Sequence, residues 1–267
     1  MKKLIANYHT HTYRCGHASM EPDENYVLEA IKVGIKDLGF SDHAPFKGIT
    51  HEKMRMEFGQ FQGYLDSIKN LKEKYFNNIT IHVGLECEYY EDKLDYYHEL
   101  FNDYKIDYLI LGQHLRYNEE GEPINYFKKD KLEGFINYKN DLIKGMKSGL
   151  FKYVCHPDLF MNFVSEITPQ IDKLMDEICL EALKLNLPLE INLHGEFKNK
   201  DGAIARGCLH YPSPYFFKKA KKFGNKFIIG IDAHNSNEIS EIDYSFLDDF
   251  LKETSISDED IIDILHF

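Results

Sequence analysis

The sequence predicts an α/β fold with parallel strands, and three observations predict it. Seven short apolar runs recur along the 267 residues, segments of helical period lie between them, and side chains able to bind metals gather at one end of the runs. Regular alternation of strand and helix argues for a closed parallel barrel or a long doubly wound sheet. The length suits one α/β barrel or two compact domains. No Pro/Gly/Ser-rich linker and no internal repeat divides the chain, so residues 1–267 read as one domain.

The elements follow in order. Residues 4–8 (LIANY) form the first run; the helix over 22–34 opens with Glu-Pro-Asp-Glu, which puts proline and acidic groups into its first turn. The second run is 35–40, followed by a helix over 58–75. The third is 79–85, followed by 96–104, and the fourth is 108–112, followed by 132–147. The fifth is 151–155 with a helix over 169–185, the sixth 187–193 with a helix over 214–223, and the seventh 227–231. Short length and β-branched content mark these runs as strands.

The polar residues closing the runs carry the chemistry. The first run leads into His9-Thr10-His11, and residues two apart on a strand share a face, so both imidazoles can reach one ion. His17 lies in the next loop. The second run ends in Asp42-His43, the third in Glu86, the fourth in His114, the fifth in His156 and the seventh in Asp232-Ala233-His234. These strand ends form the C-terminal rim, where parallel α/β folds place their chemistry. Histidine with carboxylate suits zinc, iron or manganese. A lone strand-end histidine is ordinarily a loop residue; the joint pattern carries the weight. Glu190, Asn192 and His194 share a face of the sixth run, and two readings stand: a substrate pocket or a polar barrel interior. His82 is expected to face away from the rim, and His51, His98 and His266 to be solvated.

Composition narrows the class. The formal net charge of −12 repels nucleic-acid backbones, so a general nucleic-acid binder is not expected. A chain this long buries a large core unaided, so a metal cluster would serve chemistry rather than folding. The five cysteines are odd in number and form no CxxC pair, which fits a reducing cytosol and a cytoplasmic protein. The apolar run near the N-terminus is too short for a signal peptide, and no stretch is long enough to span a membrane. Nothing in the sequence marks an oligomeric state.

The ordered set His9-x-His11, His17, Asp42-His43, Glu86, His114, His156 and Asp232-x-His234 resembles the polymerase and histidinol phosphatase (PHP) family, from residue 9 to residue 234. GLECEYY, GQH, HPD and GIDAH look most like the branch that hydrolyses histidinol phosphate. The resemblance implies a distorted (β/α)7 barrel with three divalent metals and the active site at the C-terminal strand ends. It places one metal on His9, His11, Glu86 and Asp232, and a second on Glu86, His114 and His156. The third falls to His17, His43 and His234. Catalysis would then rest on Glu86, Asp232 and His234.

Such chemistry suits these residues. Adjacent metals lower the pKa of bound water, clamp phosphoryl oxygens and stabilise the leaving oxygen, and a bridging carboxylate such as Glu86 can hold two of them. Asp232 is also placed to pass a proton to the leaving alkoxide. Phosphate favours a fork-shaped donor, and only four arginines are present. Arg206, Arg116 and Arg14 are the candidates; Arg55, in a charged stretch, is expected to be solvated. The expected function is hydrolysis of L-histidinol phosphate, a small-molecule phosphate ester, in histidine biosynthesis. Alternatives are a phosphoesterase for nucleotides or other small esters, or a non-catalytic metal-bound module docking on a polymerase. A structural zinc site is disfavoured because such sites are rich in cysteine, and the proposed set has none.

Overall fold

The fold comes from a computed structural model, which describes residues 3–49, 53–118, 121–128, 130–199 and 207–267. Four parallel strands lie side by side in chain order: β1 (Ala6–Asn7), β2 (Asp37–Phe40), β3 (Thr80–Cys87) and β4 (Tyr108–Leu111). An antiparallel hairpin, β5 (Leu115–Tyr117) and β6 (Pro123–Asn125), projects beyond β4. A second parallel pair follows, β7 (Leu189–Asn192) with β8 (Phe227–Gly230).

Single bridges join these sheets into a ring. Val154 bridges Leu111 on one side and Leu189 on the other, both in parallel sense. Thr10 bridges Ala233, with His11 N donating to Ala233 O at 2.9 Å and Ala233 N to His9 O at 3.2 Å. The result is the distorted barrel of parallel strands that the resemblance implies. The fifth run is thus cut to one bridging residue. Its continuation leaves the ladder because His156 adopts φ 31°, and Pro157 has no N–H to offer.

Helices α1 (Asp23–Val33), α2 (Phe61–Lys74), α3 (Leu94–Asn102), α4 (Leu132–Lys147) and α5 (Pro169–Lys184) coat the outside, α6 (His194–Asn199) starts at the barrel mouth after β7, and α7 (Pro214–Phe223) returns to the outer layer. Their ends follow local chemistry. Thr168 and Ser213 cap α5 and α7 ahead of a first-position proline, and Gly34 and Gly224 end α1 and α7 in left-handed conformations. The hairpin, α6, α8 (Asn237–Ser240) and α9 (Tyr244–Thr254) were not expected from the sequence. β6 is exposed and starts with proline, so it has none of the alternation that marks a half-buried strand.

The main core packs the helices onto the sheet, and a smaller cluster fills the barrel around Tyr8, Tyr108, Ile110 and Tyr153. Tyr108 Oη donates to Tyr8 O at 2.8 Å. The N-terminal mouth is stoppered: Phe267 packs on Tyr8, His82 and Tyr108, and His82 Nε2 sits 2.8 Å from Asp37 Oδ1. The polar residues of the opposite mouth therefore collect at one end of a plugged barrel.

Candidate metal centre

The rim residues singled out above converge around Glu86, at the end of β3. Glu86 Oε1 lies 2.6 Å from His156 Nε2 and 3.3 Å from His114 Nε2. Its Oε2 lies 3.1 Å from His43 Nδ1 and 3.4 Å from both His9 Nε2 and His11 Nε2. Asp232 Oδ1 faces the same two rings, 3.4 Å from His9 Nε2 and 3.0 Å from His11 Nε2. His234 stacks on His11 with centroids 4.3 Å apart, and His17 lies 4.7 Å from His234 and 5.4 Å from His43. His17 is exposed at the mouth, whereas His9 and His11 are fully buried.

Backbone and glycine geometry shape this convergence. His156 (φ 31°) and Asp232 (φ 55°) both adopt positive φ at strand ends, a costly conformation that persists only where surroundings enforce it. Gly112 leaves room for Glu86: a Cβ there would meet Glu86 Oε1 at 2.0 Å and Cys155 Sγ at 2.8 Å. Gly230 does the same for Glu190, whose Oε1 a Cβ would meet at 1.9 Å.

Electrostatics mark the cluster as a cation site. Burial pushes the Glu86 carboxyl up, but His43, His114, His156 and His9 outweigh it and hold it well below the usual carboxylate range. Asp232 is likewise raised by burial and, on balance, held well below its ordinary value by His9, His11 and His234. Burial drives His43 and His234 well below the ordinary imidazole value. Burial also opposes charge on His9, yet Glu190, Asp232 and Glu86 pull it up to about 10.

The donor set fits divalent ions. Buried atoms without a hydrogen-bond partner include His9 Nε2, both ring nitrogens of His11, His43 Nδ1, Glu86 Oε2, Asp232 Oδ1 and His234 Nε2. Such orphans ordinarily cost about 1–3 kcal/mol each, and here they point at one another. Sets within 4.8 Å include His9–His11–Asp232, His11–His43–His234, Cys15–His17–His234 and His9–Glu86–Cys155–His156. The sulfurs of Cys15 and Cys155 were missed in the sequence, where neither belongs to a CxxC pair; only the fold buries them and brings them to the cluster.

Carboxylates stand behind the histidines. Asp42 Oδ1 lies 3.6 Å from His11 Nδ1, Glu88 Oε1 lies 3.4 Å from His114 Nδ1, and Glu190 Oε1 lies 2.8 Å from His9 Nδ1. Arg55 is not solvated, as the sequence suggested. It is 1% exposed, and its Nη2 and Nη1 reach Glu88 at 2.8 and 3.0 Å while Nη1 also donates to Ala44 O. Burial raises Glu88, but Arg55 outweighs it and brings the carboxyl down to about 2. The physical reason is that a paired, bidentate arginine tolerates burial that a lone one does not.

A cavity of about 220 Å³ opens onto the cluster, lined by His17, His43, Lys53, Met54, Glu86, His114, His156, Leu159, His194, Tyr211, Asp232 and His234. His194 thus meets the cavity, whereas Glu190 and Asn192 are fully buried beneath it as part of a polar barrel interior. Their alternating positions on β7 point inward, one layer below the rim. Arg14 does not line this cavity; it pairs with Asp23 at 2.8 Å and borders a separate hollow with Tyr13 and Ser67. Arg116 does not line it either, and borders a different depression beside Tyr89, Tyr90 and Asp141. Arg206 lies outside the described residues. Lys53 was overlooked, because an exposed lysine in a charged stretch carries no sequence signal.

Comparison with known proteins adds the following. The family model described as "PHP domain" matches residues 7–194. A histidinol-phosphatase of Bacillus subtilis is 25% identical over 267 residues, covering 90% of this chain and 97% of its own. A "Probable histidinol-phosphatase" of Deinococcus radiodurans is 26% identical, covering 88% of each chain. Among solved structures, a histidinol phosphate phosphatase of Lactococcus lactis, crystallised with zinc, L-histidinol and phosphate, matches with a TM-score of 0.69. It is 19% identical and covers 96% of this chain and 95% of its own.

Proposed function

This chain belongs to the PHP domain family, and we propose that it is a metal-dependent phosphomonoesterase that hydrolyses L-histidinol phosphate to L-histidinol and phosphate. The observation that carries the reading is the convergence of histidines 9, 11, 43, 114, 156 and 234 on Glu86 and Asp232, with buried nitrogens and oxygens that make no hydrogen bond. The relatives named above, and the zinc, histidinol and phosphate held by the Lactococcus lactis protein, support it. This activity would serve histidine biosynthesis.

We assign one ion to His9, His11, Glu86 and Asp232, a second to Glu86, His114 and His156, and a third to His17, His43 and His234. Zinc, iron and manganese all suit these donors. Bound there, such ions would acidify water and neutralise phosphoryl charge. The protein's own groups do the rest. Glu86 ties the histidines of several strands together, and Asn192 holds Asp232 by donating from Nδ2 to Oδ2 at 3.1 Å. That leaves Asp232 Oδ1 aimed at the cluster, where Asp232 would take the proton released by the attacking water and pass it to the leaving oxygen, while His234, tied through Nδ1 to Asp232 O at 2.9 Å, orders that strand end. Lys53, on the cavity wall, offers a cation to the phosphate.

The test is phosphate release by metal-loaded protein from histidinol phosphate, a nucleoside monophosphate, a sugar phosphate and an aryl phosphate. The expected result is the highest kcat/KM for histidinol phosphate. A strong preference for another ester would overturn the substrate and keep the reaction; no release from any would favour a non-catalytic module.

A further inference from the structure

We propose that Glu190 is a positioning residue for the metal centre: it holds the His9 ring with Nδ1 protonated, so that Nε2 presents its lone pair to the cluster, and it anchors the backbone of His156. The inference rests on the metal-dependent reading above and concerns how that centre is built. Glu190 is fully buried at the middle of β7. Its Oε1 lies 2.8 Å from His9 Nδ1, and its Oε2 accepts from His156 N at 2.9 Å and from Asn192 Nδ2 at 3.0 Å. Asn192 in turn reaches Asp232. One carboxylate therefore touches, directly or through one amide, three of the residues assigned to the ions, carried on three separate strand ends.

The chemistry of the carboxylate matters more than its size. It accepts only, so with an ion in place of the second proton the network would keep the hydrogen of His9 on Nδ1 and free the lone pair of Nε2, 3.4 Å from Glu86 Oε2 and Asp232 Oδ1. Histidines that hold metals are commonly oriented by a carboxylate on the other nitrogen. The peptide N–H of His156 is a fixed donor, and it is needed where that residue sits at φ 31°. A glutamine in this place has one acceptor oxygen. If that oxygen serves His156 and Asn192, the amide NH2 faces His9 Nδ1 and drives the hydrogen to Nε2, where it blocks an ion. If it turns to His9, two N–H donors confront each other at His156. Glycine at 230 keeps this place open for the carboxylate, since a Cβ there would lie 1.9 Å from Glu190 Oε1.

The experiment compares zinc affinity, by competition with a chromophoric chelator, in wild type, E190Q, H9A and H9A/E190Q, with circular dichroism as the check on folding. E190Q is expected to weaken zinc binding about 10–100-fold, and most of that loss should vanish in the His9→Ala background, because the effect passes through His9. Unchanged affinity in E190Q overturns the proposal, as does a loss undiminished in the double variant. A variant with normal zinc affinity but a raised KM for histidinol phosphate alone would make Glu190 a substrate contact instead, and also overturns it. Should E190Q not fold, 15N NMR of histidine-labelled wild-type protein decides: Nδ1 of His9 must carry the proton in the zinc-loaded state, and a proton on Nε2 refutes the assignment. The zinc-affinity and NMR readouts need no turnover, so failure of the phosphatase panel leaves them intact.

Discussion

Replacing Glu88 with glutamine should destabilise the protein by more than any surface change, and should cost less metal than the same change at Glu86. Glu88 and Arg55 are both about 1% exposed and bind through two parallel contacts of 2.8 and 3.0 Å. Removing one charge strands the other in the interior, which costs about 3–5 kcal/mol. For a chain of this size each kcal/mol lowers Tm by roughly 2–4 °C, so the drop should be on the order of 10 °C. The same pair sets a pH dependence. The folded carboxyl sits near about 2, below its ordinary value of 4.5, so its stabilisation is fully present above pH 4.5 and is lost as pH falls toward 2. A gap of this width is worth about 3 kcal/mol. Thermal unfolding by circular dichroism at pH 7, and across pH 5 to 3, reads both effects in wild type and E88Q. The variant should lose the part of the acid dependence that Glu88 contributes. An R55M/E88M double variant should recover much of the lost Tm, because apolar replacement of a buried pair is often neutral. A Tm for E88Q within about 2 °C of wild type would refute the argument and return Arg55 to solvent.

Four further outcomes follow from the site. Glu86→Gln should cut both metal affinity and turnover steeply, since Glu86 faces five imidazoles; mild loss in E86Q beside severe metal loss in E88Q would put the centre one pleat away. Gly112→Ala should lower metal content more than Tm, because its Cβ would displace Glu86 Oε1 rather than open a cavity; elemental analysis and thermal unfolding of the same preparation compare the two. Chelation should abolish activity and leave far-ultraviolet circular dichroism largely unchanged, given the extensive apolar core; complete unfolding would make the ions structural. After reconstitution with zinc, manganese or iron, more than one ion per chain is expected, and a single tightly held ion would sink the multinuclear assignment.

The sequence by itself determined the strand runs, most helices and the rim positions of the histidines. Those signals are local: strands alternate with period two, helices with 3.6, and each run closes on its own polar residues. His9 and His11 share a face because they are two apart, and Asp232 and His234 for the same reason. Tertiary structure alone decided what stands behind them. His9 meets Glu190 across 181 positions, and His156 Nε2 meets Glu86 across 70. Arg55 looks solvated in sequence because its neighbours are charged; its burial depends on Glu88, 33 positions away. Cys15 and Cys155 enter the cluster, and Glu190 drops beneath it, for the same reason. Ring closure through Val154 and through Thr10–Ala233 rests on single bridges that no propensity announces. Local pattern sets which way a side chain points along its own strand; which partner it finds depends on how the strands curl round to meet, and that is a property of the closed barrel.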